Sequence, residues 1–309
     1  MPPEGIDHVP RKDLLSLEEV VELARVFVRW GVERVRLTGG EPTLRRNMPW
    51  LVAQLAGLKT ASGAPLSVTM TTNGELLPTM AKELADAGLS GVTVSLDSLD
   101  PERFLRITRR GDLSKVLQGI EAARAAGITP IKLNAVAVAG FNDDEIGRIA
   151  RWSLHRGIVP RFIEVMPMSG GSLFIPGELL AAAEIRGRVA AELGSALVPD
   201  DGEGVAGHGP ATYWRVASGE FSGGRIGTIA AMTENFCASC NRLRVSATGQ
   251  VHACLARDDA GDLRGALRSG EPHGLEAVVR EVLGHKRDTH DFRLDGSGGP
   301  DKAMISIGG

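Results

Sequence analysis

The chain has few cysteines, no long apolar run and no excess of charge of either sign, and each shortage excludes a class of protein. Three cysteines in 309 residues are too few for a scaffold held together by disulfide bonds. No stretch is long and apolar enough to cross a bilayer. Because 35 lysines and arginines nearly balance 38 acidic residues, the charge favours neither nucleic acid nor an anionic membrane as a partner.

Two nucleotide-binding signatures and a secretion signal are also missing. No Gly-x-x-x-x-Gly-Lys-Ser/Thr loop occurs, and no Gly-x-Gly-x-x-Gly follows a predicted strand, so a bound nucleotide would be held in another way. Residues 1–4 lack the charged and apolar regions of a secretion signal, and we therefore expect a cytoplasmic protein. Clustered cysteines agree with a reducing compartment.

Helices and short apolar strands alternate along the first 165 residues. Ser16 and Glu19 form a capping box that starts the first helix, and Gly31 ends it. The spacing of apolar residues predicts further helices at 49–56, 80–87, 115–126 and 145–156, and strands at 32–37, 66–70, 92–96, 131–138 and 161–165. This alternation predicts an α/β fold with a parallel sheet or barrel. Beyond it we expect a helix at 177–193, a glycine-rich linker at 200–210, short strands at 213–216 and 225–230, and a helix near 272–283.

Polar, glycine-rich segments follow the predicted strands. Thr-Gly-Gly-Glu-Pro at 38–42 follows the first strand, and Thr-Thr-Asn-Gly at 71–74 follows the second. Either segment alone is typical of a turn. Because the carboxyl ends of parallel strands meet at one rim, where β/α barrels bind their ligands, several such segments together favour a ligand site.

All three cysteines lie close together in the sequence. Cys237 and Cys240 form a Cys-x-x-Cys pair, and a hairpin that turns at Thr248-Gly249 brings Cys254 back beside them. Three thiolates suit a zinc site with His252 as the fourth ligand, or an iron–sulfur cluster with one iron left open. Unrelated buried thiols, or a redox pair with a bystander, are the plainer interpretations. The spacing favours metal binding and leaves the choice of metal open.

Together these motifs resemble the GTP 3′,8-cyclase family of molybdenum-cofactor biosynthesis, the MoaA-type radical S-adenosylmethionine (SAM) enzymes. The resemblance covers essentially the whole chain. Gly-Gly-Glu-Pro is shared widely among radical SAM enzymes, whereas the Cys-x-x-Cys-Asn-Arg-Leu-Arg segment and the terminal Gly-Gly pair are more selective. The segments that carry the resemblance are 36–42, 71–74, 94–97, 132–134, 161–164, 237–254 and 308–309.

The resemblance implies a fold with two parts. In the family an incomplete (β/α)6 barrel of the TIM type precedes a smaller α+β domain that carries an iron–sulfur site. We therefore expect a radical SAM partial barrel at 1–200 and, at 201–309, a domain with a second [4Fe–4S] cluster and the Gly-Gly tail.

A cysteine motif of the family is missing here. The family's first cluster binds SAM through a Cys-x-x-x-Cys-x-x-Cys loop after the first strand, and the chain has no such motif. Each predicted unit also runs from helix to strand, with no strand before the first helix. We therefore expect an N-terminally truncated chain that is inactive alone, with the first [4Fe–4S] cluster belonging to the full-length parent only.

The resemblance also implies roles for the residues that match the family's motifs. It implies that the cluster is held by Cys237, Cys240 and Cys254, and that SAM is contacted by Gly40, Ser95 and Met166. It implies that GTP is bound by Arg36, Thr71, Lys132, Arg242, Leu243 and Arg244, and that catalysis involves Arg242, Arg244, Gly308 and Gly309. Structural roles are the alternative for each of them: rim salt bridges for Arg36 and Lys132, and core packing for Met166.

The family's reaction is a radical cyclisation of GTP. A 5′-deoxyadenosyl radical made from SAM takes hydrogen from ribose C3′, and the carbon radical attacks guanine C8 to give 3′,8-cyclo-7,8-dihydro-GTP. The resemblance implies this lyase reaction, a homodimer, and transfer of the product to a cyclic pyranopterin monophosphate synthase. Two alternatives stay open: a degenerate, non-catalytic relative that binds GTP and one cluster, and a zinc-stabilised barrel that acts on another phosphorylated substrate.

Overall fold

The computed structural model describes residues 9–171, 175, 177–200 and 209–307. Gly308, Gly309 and most of the predicted linker at 200–210 lie outside these residues. The strands are β1 Arg34–Leu37, β2 Ser67–Thr72, β3 Val92–Ser95, β4 Ile131–Ala137, β5 Val159–Glu164, β6 Leu197–Pro199, β7 Thr212–Val216, β8 Arg225–Ile229, β9 Arg244–Val245, β10 Gln250–His252 and β11 Gly261–Asp262. The α-helices are α1 Leu17–Arg29, α2 Met48–Ala56, α3 Leu77–Asp86, α4 Pro101–Thr108, α5 Leu113–Ala125, α6 Ile146–Leu154, α7 Ala182–Leu193, α8 Leu263–Ser269 and α9 Gly274–Gly284.

Eight strands form one sheet in the order β1-β2-β3-β4-β5-β8-β7-β6. From β1 to β8 in this order the strands are parallel, and β7 and β6 add antiparallel pairs at one edge. The predicted α/β fold with a mostly parallel sheet is confirmed. The boundary predicted at residue 200 falls between β6 and β7, two strands of this sheet, and both the division into domains and the incomplete six-stranded barrel stay predictions.

The sheet has an apolar outer face and a polar inner face, because residues of opposite character alternate along its strands. On β4, Leu133 and Ala135 belong to the hydrophobic cluster that packs the sheet against its helices. Lys132 precedes Leu133, and Asn134 lies between Leu133 and Ala135; both contact polar groups instead. Each fully buried Leu or Val of the outer face stabilises the fold by about 1.5–3 kcal/mol, and this leaves the inner face free to carry polar side chains.

The inner face is concave. In the sheet order, β7 lies three strands from β4, which would separate them by about 14 Å in a flat sheet. Lys132 Nζ on β4 nevertheless lies 3.5 Å from the hydroxyl of Tyr213 on β7. Because side chains stand roughly perpendicular to a sheet, this contact indicates that the sheet curves toward the face that carries both residues.

Residues 236–307 build a smaller unit around β9, β10 and β11. The predicted hairpin is confirmed: β9 and β10 are antiparallel, with Val251 opposite Val245, and β11 pairs with β10 on its other side. The hydrophobic cluster of this unit includes Leu15 and Leu23 from the first part of the chain. Helix α1 therefore packs against both the large sheet and the hairpin, since Val21 of the same helix belongs to the cluster of the large sheet.

The first five predicted helices agree with the structure to within about three residues at each end. The helix predicted at 177–193 begins only at Ala182, because Leu179 instead forms a β-bridge with Val138. Helix α4 was not predicted, although Asp100 accepts a hydrogen bond at its N-terminus and Pro101 follows, which is a standard helix start. No helix in the described ranges is both long and apolar enough to cross a membrane.

Candidate functional site

Arg36 and Thr71, both expected to bind GTP, meet on the inner face of the sheet. Arg36 Nη1 donates to Thr71 Oγ1 over 3.1 Å and to Thr93 Oγ1 over 3.0 Å. Thr71 and Thr93 face each other in the register of β2 and β3, so two hydroxyls stand side by side as acceptors. A guanidinium carries five N–H donors, and fixing Nη1 leaves donors that can face a ligand.

Arg161 approaches the same threonine from the other side. Its Nη2 donates to Thr93 Oγ1 over 3.2 Å, and its Nε donates to Asn134 Oδ1 over 2.9 Å. Asn134 is the register neighbour of Arg161 across β4 and β5. Only 3% of Arg161 is exposed, so its position is fixed by packing as well as by hydrogen bonds.

Lys132 completes the group of cations. It lies opposite Thr93 in the register of β3 and β4 and is 8% exposed. Its Nζ is 3.5 Å from the hydroxyl of Tyr213 and 5.8 Å from the centre of that ring. The fold therefore brings together all three residues that were expected to bind GTP from the strands, Arg36, Thr71 and Lys132.

The three cations lack acidic partners. In the described part of the chain, the side-chain partners of Arg36, Lys132 and Arg161 are hydroxyl and amide groups, and none is a carboxylate. Arg36 is exposed to solvent, yet desolvation by the neighbouring protein and then Arg161 lower its pKa to about 10. Burial, Arg161 and Arg36 lower the pKa of Lys132 to about 8.

This arrangement can hold an anion with several charged oxygens. Uncompensated cations in a partly desolvated cavity destabilise the empty protein. An anion would relieve that cost, and planar guanidinium groups donate in pairs to phosphate oxygens. The salt-bridge alternative for Arg36 and Lys132 does not apply among the described residues, because neither has a carboxylate partner.

The residues expected to contact SAM lie at the carboxyl end of the sheet. Gly40 follows β1, Ser95 ends β3 and Met166 follows β5. Ser95 and Gly40 are exposed and Met166 is half-buried, so core packing does not occupy all of Met166. The structure places the three at one rim, and their contact with SAM stays a prediction.

Glu41 ties two of the rim loops together. Its carboxylate accepts from Thr43 N over 3.0 Å, from Thr72 Oγ1 over 2.8 Å and from Asn73 N over 2.7 Å. The loops at 38–42 and 71–74 are thus joined through one side chain. The rim segments are more than independent turns.

The cysteines lie in the smaller unit. Cys237 begins a short 3-10 turn, Cys240 caps it, and Cys254 follows β10. All three are free and half-buried. Burial raises the pKa of Cys237 most, and the charges of Cys254 and Cys240 raise it further. The three thiols are therefore near enough to act on one another electrostatically.

Cations surround Cys240. Arg242 Nη2 donates to its sulfur over 3.3 Å, and Lys286 Nζ lies 3.7 Å from the same atom. Burial by itself would raise the pKa of Cys240, but Arg242 and then Lys286 lower it overall. The deprotonated form of this cysteine, which is the one that binds metals, is therefore easier to form than in an ordinary cysteine. Arg244, on β9, is half-buried, and burial and Arg242 lower its pKa to about 10.

The donor types at this site, three thiols with cations beside Cys240, are those that an iron–sulfur cluster takes. Their arrangement is not that of a bound cluster: within the described ranges, no three or more His, Cys, Asp or Glu side chains are placed to hold a metal ion. The cluster at Cys237, Cys240 and Cys254 therefore stays a prediction. His252, the alternative zinc ligand, has its Nδ1 2.9 Å from the Asp259 carbonyl oxygen and 3.0 Å from Lys302 Nζ.

Several residues of both sites were given no binding role from the sequence, although Asn134 and Arg161 lie in segments that carry the family resemblance. On the inner face these are Thr93, Asn134, Arg161 and Tyr213, and near the cysteines it is Lys286. A signal existed for Arg161: a cation inside a strand of a parallel sheet must have a polar environment to face. No sequence signal marked Tyr213 or Lys286, since long-range folding brings them to their partners.

Two family models match the chain. The radical SAM superfamily model matches residues 6–153, and a model described as Molybdenum Cofactor Synthesis C matches residues 158–292.

Curated relatives match along nearly the whole chain. A GTP 3′,8-cyclase of Rhodopseudomonas palustris strain TIE-1 is 46% identical over 294 residues, which are 94% of this chain and 82% of the relative. One of Rhizobium meliloti strain 1021 is 43% identical over 293 residues, 94% of this chain and 81% of the relative. The crystal structure of a radical SAM methyltransferase from Sphaerobacter thermophilus is 18% identical, with a TM-score of 0.43, over 57% of this chain and 54% of the other. That structural likeness is too weak to carry an argument.

Proposed function

The chain belongs to the GTP 3′,8-cyclase family of radical SAM proteins, and from that premise we propose that its inner face binds the triphosphate of GTP for conversion to 3′,8-cyclo-7,8-dihydro-GTP. The observation that carries the proposal is the group of Arg36, Lys132 and Arg161, three cations on one concave surface whose side-chain partners among the described residues are hydroxyl and amide groups. A triphosphate supplies the several negative oxygens that such a surface lacks.

The residues on the strands would orient the substrate by holding its phosphates. Thr71 and Thr93 hold Arg36, so its guanidinium is already positioned when an anion arrives. Asn134 does the same for Arg161. With the phosphates fixed on the inner face, the nucleoside would extend toward Arg242, Leu243 and Arg244, which the resemblance assigns to GTP.

Cys237, Cys240 and Cys254 would hold a [4Fe–4S] cluster in the smaller unit. When bound, such a cluster offers an iron that no cysteine ligates and that can take a ligand from the substrate. Arg242 and Lys286 would balance its negative charge from the side of Cys240. Gly40, Ser95 and Met166 would contact SAM at the rim.

We further propose that the polypeptide of residues 1–309, tested by itself, binds GTP without cleaving SAM. All three of its cysteines lie between 237 and 254, and a second cluster would need further thiolates. For this polypeptide alone, the proposal corresponds to the alternative of a non-catalytic protein that binds GTP and one cluster. A homodimer, a cytoplasmic location, catalytic roles for Gly308 and Gly309, and delivery of the product to a cyclic pyranopterin monophosphate synthase stay predictions.

Anaerobic reconstitution of the polypeptide followed by metal analysis tests both proposals. We expect about four irons per chain, as one [4Fe–4S] cluster contains, saturable binding of GTP, and no 5′-deoxyadenosine when SAM and dithionite are added. Zinc without iron or sulfide would contradict the proposed [4Fe–4S] cluster. Failure to bind GTP would contradict the proposal that GTP is the substrate. Formation of 5′-deoxyadenosine would contradict the proposal that this polypeptide does not cleave SAM.

A further inference from the structure

Tyr213 is the one tyrosine of the chain, and it lies among the cations of the inner face. It sits on β7, outside the run of parallel strands, and is 6% exposed. In the register of the sheet, Tyr213 is opposite Gly227 of β8, and Gly227 is opposite Arg161 of β5. The tyrosine and the arginine are thus two strands apart, with a glycine between them.

Gly227 allows these two side chains to meet. A Cβ atom at this position would lie 2.8 Å from Arg161 Cγ and 3.2 Å from Tyr213 Cε1. Arg161 Cγ is the middle of a side chain whose end is fixed by Thr93 and Asn134, so it has little freedom to move aside. Even a methyl group here would push the arginine or the ring out of place.

The hydroxyl of Tyr213 serves both neighbouring cations. Lys132 Nζ lies 3.5 Å from it. Burial lowers the pKa of Arg161 most, and Tyr213, whose hydroxyl accepts a hydrogen bond from it, acts in the opposite direction. A tyrosine hydroxyl has two acceptor lone pairs, enough to accept from an ammonium and a guanidinium together.

We propose that Tyr213 is a positioning residue that holds the Lys132 ammonium and the Arg161 guanidinium ready for the triphosphate. The inference rests on the proposed function, since it deepens the role of the same site. A carboxylate in this place would bind the cations more strongly, but it would also neutralise them and repel phosphate. A neutral hydroxyl fixes their positions and leaves their charge for the ligand.

Because the chain has one tyrosine, a single carbon-13 label reports on this contact without any substitution. Full-length protein grown with [13Cζ]-tyrosine gives one labelled resonance, which is titrated with GTP and separately with inorganic tripolyphosphate. We expect both ligands to shift the resonance saturably, because each draws the two cations away from the hydroxyl. Binding is measured in parallel by equilibrium dialysis.

Tyr213→Phe keeps the ring and removes the hydroxyl. We expect it to bind tripolyphosphate about tenfold more weakly. We also expect its binding to decline at lower pH than in the unsubstituted protein, because the Lys132 ammonium loses an acceptor while Arg161, Arg36 and Arg34 still repel it. A merely structural tyrosine would not move that pH profile.

Thr228→Val is the matched control. Thr228 is 1% exposed on β8, next to Gly227, and its hydroxyl has no partner in the described part of the chain. Its removal should leave affinity and pH profile unchanged. Gly227→Ala, which displaces Arg161 or Tyr213 without removing a polar group, should weaken tripolyphosphate binding in the same direction as Tyr213→Phe.

Three results would overturn the inference. One is a resonance that stays still while dialysis shows both ligands bound. Another is a Tyr213→Phe variant with unchanged affinity and pH profile. Either of these leaves the proposed function standing. If neither ligand binds the unsubstituted, folded protein, the proposed function fails and this inference fails with it.

Discussion

On the inner face of the sheet, hydrogen bonds of 3.0 and 3.2 Å hold Arg36 and Arg161 to Thr93. At the cysteine site, the three thiols are carried by a short turn and a hairpin, and only Cys240 receives hydrogen bonds from cations, Arg242 and Lys286, in the described ranges. The first site is built on strands of a packed sheet, and the second on loops. A site on strands can be assembled before its ligand arrives, whereas a site on loops gains its order from what it binds.

The two sites also differ in charge. The inner face gathers cations that burial and mutual repulsion destabilise, so an anion completes it. The cysteine site places cations beside a thiol, and under the proposed function a metal group would complete it. We therefore expect that a substitution at one site impairs ligand binding at that site and leaves binding at the other site unchanged.

The largest effect should come from removing a thiol. Cys240→Ser should reduce the iron that reconstitution incorporates to a small fraction of the original, because serine is a poor ligand for iron–sulfur clusters. Tripolyphosphate binding should stay within about twofold, since no cysteine contributes to the inner face. Iron analysis and equilibrium dialysis measure the two effects.

Ser239→Ala is the control for that substitution, because Ser239 lies in the same turn and its hydroxyl donates to the nearby Phe236 carbonyl oxygen. It should keep its iron. A comparable loss of tripolyphosphate binding in Cys240→Ser would mean that the two sites are not separate.

Arg161→Met should weaken tripolyphosphate binding by about 100-fold, as expected for the loss of hydrogen bonds from a charged group. It should leave iron incorporation unchanged. It should also raise the melting temperature of the empty protein, because a buried cation that has no carboxylate partner in the described part of the chain is replaced by an apolar chain of similar length. Dialysis and thermal unfolding measure the two opposite effects.

Arg124→Met is the control, because it removes an exposed arginine of α5 that pairs with Glu121. It should change neither the tripolyphosphate affinity nor the melting temperature. If Arg161→Met lowered the melting temperature and left the affinity intact, Arg161 would be a structural residue.

The pKa of Lys132 predicts that anion binding on the inner face depends on pH and that the cysteine site does not share this dependence. The pKa of Lys132 is about 8 in the fold, against an ordinary value of 10.5. Below pH 8 the ammonium is charged and can bind phosphate; as pH rises through 8 the charge is lost, and affinity should fall by up to about tenfold per pH unit. The empty protein should change in the opposite sense: folding disfavours the ammonium, so its stability rises between pH 8 and 10.5.

Lys132→Met should remove the part of this pH dependence that begins near pH 8. Lys82 is an exposed lysine paired with Asp86, and the control variant Lys82→Met should retain the pH dependence. Calorimetry at pH 8 in two buffers of different ionisation enthalpy should show proton uptake on binding. An affinity that does not change from pH 7 to 9 would contradict the assignment.

The smallest effect concerns α1, which packs against both units. Ser16 accepts from Glu19 N over 3.1 Å and Glu19 accepts from Ser16 N over 2.7 Å. Ser16→Ala should lower the free energy of unfolding by about 1 kcal/mol and affect both sites equally, as a change in shared support would. Urea unfolding monitored together with ligand binding checks this, and a selective loss at one site would contradict it.

Local patterns predicted the elements better than the sites. The alternation of helix and strand, the capping box at Ser16 and the hairpin at Thr248-Gly249 all depend on neighbouring residues, and the structure confirms them. Strands β7 and β8 were predicted, but β6 and the way these strands join the large sheet were not, since the pairing of β8 with the distant β5 leaves no local signal.

The site was predicted through resemblance, and its geometry was not. Arg36, Thr71 and Lys132 were named, but each comes from a different strand, and only the register and curvature of the sheet show that they meet. Tyr213 was overlooked because it was treated as part of a short strand beyond the repeating units. The contact partners of Cys240 include Lys286, which lies 46 residues away along the chain.

The most direct test of the account uses iron-free protein at pH 7. We claim that strands alone assemble the anion site, so tripolyphosphate should bind the iron-free and the reconstituted polypeptide with the same affinity, measured by calorimetry, while GTP should bind the reconstituted form more tightly. A folded, iron-free protein that fails to bind tripolyphosphate, and gains this binding only with iron, would contradict the claim.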